Sequence, residues 1–257
     1  MNTPRPLILI SNDDGVDAPG IEFLARVASR HGDVVVVAPA SAQSGKSSAL
    51  TVNAPLTLKH LAGYPGCDAN VYSVNGTPVD CVKIALHAVT AHRPALVLSG
   101  VNHGSNAAVN NIYSGTMGAA MEGCVVGIPS VGFSILSHSW DVDMKPAEKL
   151  IDRVIYYVLT HGLPDGICLN VNFPAAAHIN GLKVTRAARG YWSEEYADYT
   201  TPSGEPFYWL TGRFINLEPD APDTDEYWLK RDYGTVVPVR PDQTAADMMS
   251  ALAPLGE

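Results

Sequence analysis

Two short, uninterrupted apolar runs near the amino terminus, residues 7–10 and 34–37, do most to limit what this chain can fold into. A strand with one wet face alternates apolar and polar residues, whereas these runs, the second all valine, are apolar at every position. That is the pattern of strands covered on both faces, as in the middle of a parallel sheet. Between the runs, Ile21, Leu24, Ala25, Val27 and Ala28 recur at helical spacing up to Gly32, so the segment reads as one strand–helix–strand unit.

The pattern then repeats. A strand is expected around residues 71–74, followed by a helix that Thr77 caps, with Pro78 at its first position and Asp80 in its first turn. The apolar face of that helix carries Val82, Ile84, Ala85 and Val89. Residues 96–98 form the next strand, which ends in SGVNHGSN, and a helix of small residues spans about 114–126. Strands at 131–135 and 167–171 flank a helix at about 146–161. Alternation of this kind predicts an α/β fold, a Rossmann-like and mostly parallel sheet with helices on both faces.

After about residue 188 the texture changes to aromatics, prolines and acids, as in YWSEEYADYTTPSGEPFYWLTGRF. Irregular hairpins and loops are expected there, then a strand at 235–239 and a short helix at 244–252. The chain thus reads as a single domain, residues 1–257, with a catalytic core at 1–188 and a carboxyl-terminal extension at 189–257.

A formal net charge of −9 provides no basic stripe for a phosphate backbone, so a nucleic-acid polymer is not an expected partner. No apolar run approaches the ~20 residues that span a bilayer, and the opening MNTPRPLILISNDDG lacks the features of a signal peptide, which points to the cytoplasm and away from membranes. Cys67, Cys81, Cys124 and Cys168 are widely spaced without a CxxC pair, and buried free thiols are the simplest expectation.

In an open α/β sheet, ligands collect beyond the carboxyl ends of the strands where strand order reverses. The polar clusters of this chain fall at such ends. Asn12, Asp13 and Asp14 follow the first strand; Ser41, Gln43, Ser44 and Lys46 follow the second; Ser99, Asn102, Ser105 and Asn106 follow the strand at 96–98. Two adjacent carboxylates repel unless something positive lies beside them. With hydroxyl and amide oxygens on the neighbouring loops and no thiolate cluster, the donor set suits magnesium, manganese or calcium better than zinc. The alternative for Asn-Asp-Asp-Gly is a turn closed by side-chain hydrogen bonds.

The third loop leads into a helix through Ser114, Gly115 and Thr116, whose early N–H groups can bind phosphate. The alternative is ordinary capping by Ser114, with Gly115, Gly118, Ala119 and Ala120 permitting close packing. Other chemistries lack their signatures. GKSS at 45–48 lacks the earlier glycine of a P-loop, with ASAQS at 40–44 in its place, no GxGxxG follows the first strand, and there is no GxSxG elbow. His103 lies within the third loop, where it can touch substrate or, more simply, stand in solvent.

SNDDG at 11–15, APG at 18–20, the loop at 38–45, NGTPVDCV at 75–82, SGVNHGSN at 99–106 and IYSGTMGAAMEG at 112–123 together resemble the SurE family of nucleotidases. The resemblance implies a metal-dependent phosphomonoesterase that hydrolyses nucleoside 5′- and 3′-monophosphates with one divalent ion per subunit, Mg²⁺ or Mn²⁺. It puts the metal ligands on Asp13, Asp14, Ser44 and Asn102, with Asp13, Asp14 and Asn102 catalytic. Phosphate contacts fall on Asn106, Ser114, Gly115 and Thr116, with Asn12, Asn75, Gly76 and Thr77 in support. It also implies that the carboxyl-terminal extension builds a homodimer or homotetramer. A non-catalytic nucleotide-binding regulator, or a phosphatase of other phosphoesters or short polyphosphate, is the alternative. Because the aspartates and the helix start lie on different turns, a branched residue at Gly115 is expected to exclude phosphate and leave metal affinity untouched.

Overall fold

The computed structural model describes residues 5–256. Its centre is β1 (Leu7–Ser11), followed by α1 (Pro19–Ala28) and β2 (Asp33–Pro39), which pairs parallel with β1. The apolar runs are continuous because successive residues supply opposite faces of the sheet. Ile8, Ile10, Val34 and Val36 pack in one core with Ile21 and Leu24 of α1, whereas Leu7, Leu9, Val35 and Val37 face a second core on the other side. Burying an aliphatic side chain of this size contributes about 1.5–3 kcal/mol, and neither face has a position left for water.

The chain continues through β3 (Leu58–Leu61), β4 (Ala69–Val74), α2 (Pro78–Ile84) and β5 (Leu96–His103). Then come α3 (Gly115–Val125), β6 (Ser130–Ile135), α4 (Lys145–His161) and β7 (Cys168–Phe173). Helix α4 joins α1 over the first core, while α2 and α3 cover the second. The expected cap of α2 is present in both directions: Asp80 N–H donates to Thr77 Oγ1 at 3.1 Å and Thr77 N–H donates to Asp80 Oδ2 at 2.9 Å.

The remaining elements are β8 (Leu182–Val184), β9 (Gly190–Ser193), β10 (Tyr196–Thr200), β11 (Pro206–Leu210), β12 (Arg213–Asn216), α5 (Asp225–Leu229), β13 (Gly234–Val239) and α6 (Met249–Leu252). The main sheet runs β3-β4-β2-β1-β5-β6-β7-β13-β8. It is parallel from β4 to β7, with β3 antiparallel at one edge and β13 antiparallel to β7 near the other. β9 pairs with β12 and β10 with β11, forming a two-part antiparallel hairpin outside the sheet.

Three features differ from the sequence expectation. The strand expected at 96–98 continues to His103 through a register shift against β6, so Asn102 and His103 are on a strand end instead of a free loop. The short strands β3 and β8 and the helix α5 are not anticipated, because each has too few residues to show a period. The helix expected at 244–252 is a single 3₁₀ turn, Ala246–Met248, leading into the four residues of α6.

Strand order places the ligand crevice. β2 and β4 lie on one side of β1, and β5, β6 and β7 on the other. The order therefore reverses between β1 and β5, and the loops after these two strands open beside each other. No helix among the described residues is long and apolar enough to cross a membrane.

Candidate active site

Asn12 closes the turn after β1. Its Nδ2 donates to Gly15 O at 2.8 Å, and its Oδ1 accepts from Gly15 N–H at 3.2 Å. Gly15 has φ +103°, in the region that favours glycine. The side-chain turn is thus present, and because Asn12 alone closes it, neither aspartate side chain is used in making it.

Asp13 is buried and touches the start of α3. Thr116 Oγ1 donates to Asp13 Oδ1. A Cβ added at Gly115 would lie 2.7 Å from Asp13 Cβ and 3.0 Å from its Oδ2. The helix start and the aspartate turn are therefore in direct contact, and this corrects the expectation that a larger residue at 115 leaves the aspartates undisturbed. Separation in sequence concealed a van der Waals contact.

Asp14 is held from β5. His103 donates to Asp14 Oδ2 twice, from its backbone N–H at 2.9 Å and from Nδ1 at 2.8 Å. The imidazole is only 2% exposed, and Nε2 has no hydrogen-bond partner among the described residues. His103 is thus a buried clamp on Asp14, not the solvated loop histidine of the simpler expectation. Its signal was present in the sequence, since it directly follows Asn102. Asn102 is buried and donates from Nδ2 to Gly104 O at 2.9 Å, which turns its amide oxygen into the free end.

The second loop is fastened by Gln43 N–H, which donates to Asp13 O at 2.7 Å, so the next residue, exposed Ser44, stands beside the aspartate turn. Further on, Ser47 N–H and Oγ donate to the carbonyls of Tyr113 and Ile112, at 3.2 and 2.7 Å. These contacts tie the second loop to the approach of α3. Ser114 caps α3 by accepting from Met117 N–H at 3.0 Å, so the capping alternative holds for its hydroxyl. The N–H groups of Gly115 and Thr116, in the same first turn, have no intrahelical partners, and that of Thr116 turns to the Asp13 carboxylate.

Asn106 lies in a buried amide network. Its Nδ2 donates to Ser134 Oγ at 2.8 Å, its backbone N–H to Asn172 Oδ1 at 2.9 Å, and its carbonyl accepts from Asn170 Nδ2 at 2.8 Å. Sequence reasoning missed Ser134, Asn170 and Asn172. The visible signal was LNVNF, two asparagines at strand spacing in an otherwise apolar run. Among the described residues, no hydrogen bond links Asn75, Gly76 or Thr77 to Asp13 or Asp14. Asn75 Oδ1 accepts from Thr57 N–H at 2.6 Å, Thr77 Oγ1 donates to Ala49 O at 2.7 Å, and Asp80 accepts from Thr51 N–H. This segment anchors the strap between residues 49 and 57.

Burial pushes the Asp13 carboxyl up to about 6; the Thr116 hydrogen bond pulls it down and the neighbouring Asp14 charge raises it. Among the described residues, neither aspartate is paired with a lysine or arginine. No cluster of three His, Cys, Asp or Glu ligands occurs among them either, so any cation held here must draw on neutral oxygens besides the two carboxylates. The Ser44 hydroxyl and the Asn102 amide oxygen are of that kind, and the set fits a hard divalent ion.

The model of the family described as Survival protein SurE matches residues 8–194. The 5′-nucleotidase SurE of Christiangramia forsetii is 46% identical over 98% of both chains. That of Phocaeicola vulgatus is 45% identical over 98% of this chain and 97% of its own. The crystal structure of SurE protein from Aquifex aeolicus, at 34% identity, covers 98% of this chain and all of its own with a TM-score of 0.83. Motifs, strand order and near full-length similarity agree, and this chain belongs to the SurE family.

Proposed function

We propose that this protein is a divalent-metal-dependent phosphatase of nucleoside 5′- and 3′-monophosphates, a 5′-nucleotidase acting in the cytoplasm. The observation that carries this reading is the direct contact of Asp13, one of two adjacent carboxylates, with the first turn of α3, whose leading N–H groups lack intrahelical partners. A site that combines a cation-binding face with an anion-binding face suits a phosphate bridging the two. The relatives named 5′-nucleotidase SurE support the substrate class.

Asp13, Asp14, Ser44 and Asn102 would hold one Mg²⁺ or Mn²⁺ ion. When bound, the ion supplies charge neutralisation and a more acidic water for in-line attack on phosphorus. The residues of the chain do the positioning. Gln43 and Thr116 hold Asp13 from opposite sides, while His103 fixes Asp14 through two donors. Gly115, having no side chain, lets Asp13 lie against the helix start, where phosphate oxygens would meet the positive end of α3 beside the carboxylate. Asn106 is bonded to Ser134 through one amide hydrogen and has a second one to offer. These donors are in place before substrate arrives, which is where most of the electrostatic stabilisation of a phosphoryl-transfer transition state originates.

The outer hairpin leaves Tyr196, Tyr199, Tyr208, Trp209 and Leu210 largely exposed, an apolar surface of the kind that subunit contacts cover, and it supports a homodimer or homotetramer. The test of function is release of inorganic phosphate from a panel of nucleoside monophosphates, with added magnesium or manganese and with chelator. Turnover that depends on the ion supports the reading. Nucleotide binding without phosphate release would make the protein a binding regulator, and turnover confined to other phosphoesters or short polyphosphate would move the substrate class.

A further inference from the structure

The loop after β6 carries an indole to the edge of this crevice. β6 pairs parallel with β5, with His103 opposite Ile135, so residues 136–144 emerge next to the histidine that clamps Asp14. The loop is tightly bonded. Leu136 N–H donates to Phe173 O at 2.9 Å, Ser139 N–H to Ser137 Oγ at 3.2 Å and Asp141 N–H to Ser139 Oγ at 3.3 Å, while Met144 is buried in the core. On this ordered turn Trp140 is 55% exposed. One face of its ring stacks on His103, with centroids 6.1 Å apart and planes 30° from parallel. With more than half the residue open, the other face is left to solvent.

The other tryptophans differ in setting. Trp192 and Trp228 bond their Nε1–H groups to Asn110 Oδ1 and Pro222 O, and Trp209 belongs to the outer hairpin. Trp140 is the indole stacked on the imidazole whose Nδ1 holds Asp14. A large rigid apolar side chain open at that position suits a ligand that is flat, aromatic and joined to the phosphate by a short spacer.

We infer that Trp140 is the stacking platform for the nucleobase of the substrate, with the ribose spanning the distance to the phosphate between Asp13 and the start of α3. The inference rests on the nucleoside monophosphate reading above. Every base presents a π face, so stacking gives affinity with little discrimination among bases. The site should therefore favour nucleotides over phosphate esters without a base more strongly than it separates one base from another.

The test compares adenosine 5′-monophosphate with ribose 5-phosphate, which keeps sugar and phosphate and lacks the base. The full-length chain, Trp140→Ala and Trp140→Phe are assayed with magnesium. The ratio of kcat/KM for the nucleotide over the sugar phosphate should fall between roughly five- and a hundred-fold in Trp140→Ala, mainly through KM, and largely recover in Trp140→Phe. A ratio unchanged in Trp140→Ala overturns the inference whatever happens to the absolute rates. A second readout is independent of turnover. Quenching of indole fluorescence by adenosine 5′-monophosphate should be seen in the wild-type chain and lost in Trp140→Phe, and quenching that survives the change overturns the inference. If the wild-type chain releases phosphate from neither ester, the hydrolase reading fails and the quenching alone decides whether Trp140 stacks a base.

Discussion

Gly115→Ala is the smallest change that tests whether the aspartate turn and the start of α3, the proposed metal and phosphate faces, act as one unit. The added methyl would be centred 2.7 Å from Asp13 Cβ and 3.2 Å from its Cγ, against an optimal carbon–carbon separation of about 3.5–4.0 Å. The aspartate cannot simply turn away. Its Oδ1 is bonded to Thr116, its backbone carbonyl to Gln43 N–H, and the side chain is buried. Overpacking of this kind costs about 1–3 kcal/mol, from which up to about 1 kcal/mol of helix propensity is recovered on replacing glycine by alanine. The net loss is on the order of 0–2 kcal/mol, or a melting point lower by a few degrees at about 2–4 °C per kcal/mol for a chain of roughly this size. The functional loss should be larger, because displacing the support of a metal ligand typically costs about 10–100-fold in affinity or activity. Calorimetric titration with Mn²⁺, phosphate release and a thermal melt on the same preparation separate these effects. Ser114→Ala is the contrasting change. It removes the cap on Met117 N–H, about 0.5–2 kcal/mol, and leaves the Asp13 contacts in place. Wild-type Mn²⁺ affinity in Gly115→Ala would refute the contact, and a loss in Ser114→Ala as large as in Gly115→Ala would show that the effect is one of helix stability.

Asp14→Asn keeps an acceptor for His103 but removes one of the two charges, so Mn²⁺ affinity and turnover should collapse while the melting point stays within a few degrees; full turnover at saturating metal would remove Asp14 from the ligand set. Asp80→Ala should destabilise the fold by about 2–4 kcal/mol, since the carboxylate both caps α2 and accepts from Thr51 N–H. Burial raises the Asp80 carboxyl, but its hydrogen bonds from Thr51 and Thr77 outweigh that and hold it below its ordinary value, so its contribution is present near neutrality and lost on acidification through the folded-state pKa. Urea unfolding of wild type and Asp80→Ala should accordingly converge as the pH falls below about 4, and a gap that is constant with pH would contradict this. The exposed aromatic hairpin predicts an assembly larger than one chain; sedimentation showing only a 27.3 kDa species at micromolar concentration would refute a subunit contact there.

Much of this protein is legible in residues that lie close together along the chain. The valine run at 34–37, the spacing from Ile21 to Ala28, and the Thr77–Asp80 cap each express a local rule, and each is found where that rule puts it. The Asn12 turn is of the same kind, closing over three residues. Placement of Asp13, Asn102 and Ser114 at strand and helix ends followed from the alternation alone, because a parallel sheet brings such ends to one edge. What the chain could not show is which of these ends touch. Thr116 reaches Asp13 across 103 positions, His103 reaches Asp14 across 89, and Asn106 meets Asn172 across 66. β13 enters the main sheet beside β7 although it follows the long outer hairpin. Local propensity carries no information about such pairs, since they exist only when separate strands dock in register and their loops are forced into one crevice. The sequence by itself thus determined most of the elements and the strand ends at which polar residues gather, and only the packing of β1, β5, β6 and α3 decided that Gly115 leaves room for Asp13, that His103 is a buried clamp, and that Trp140 stands over it.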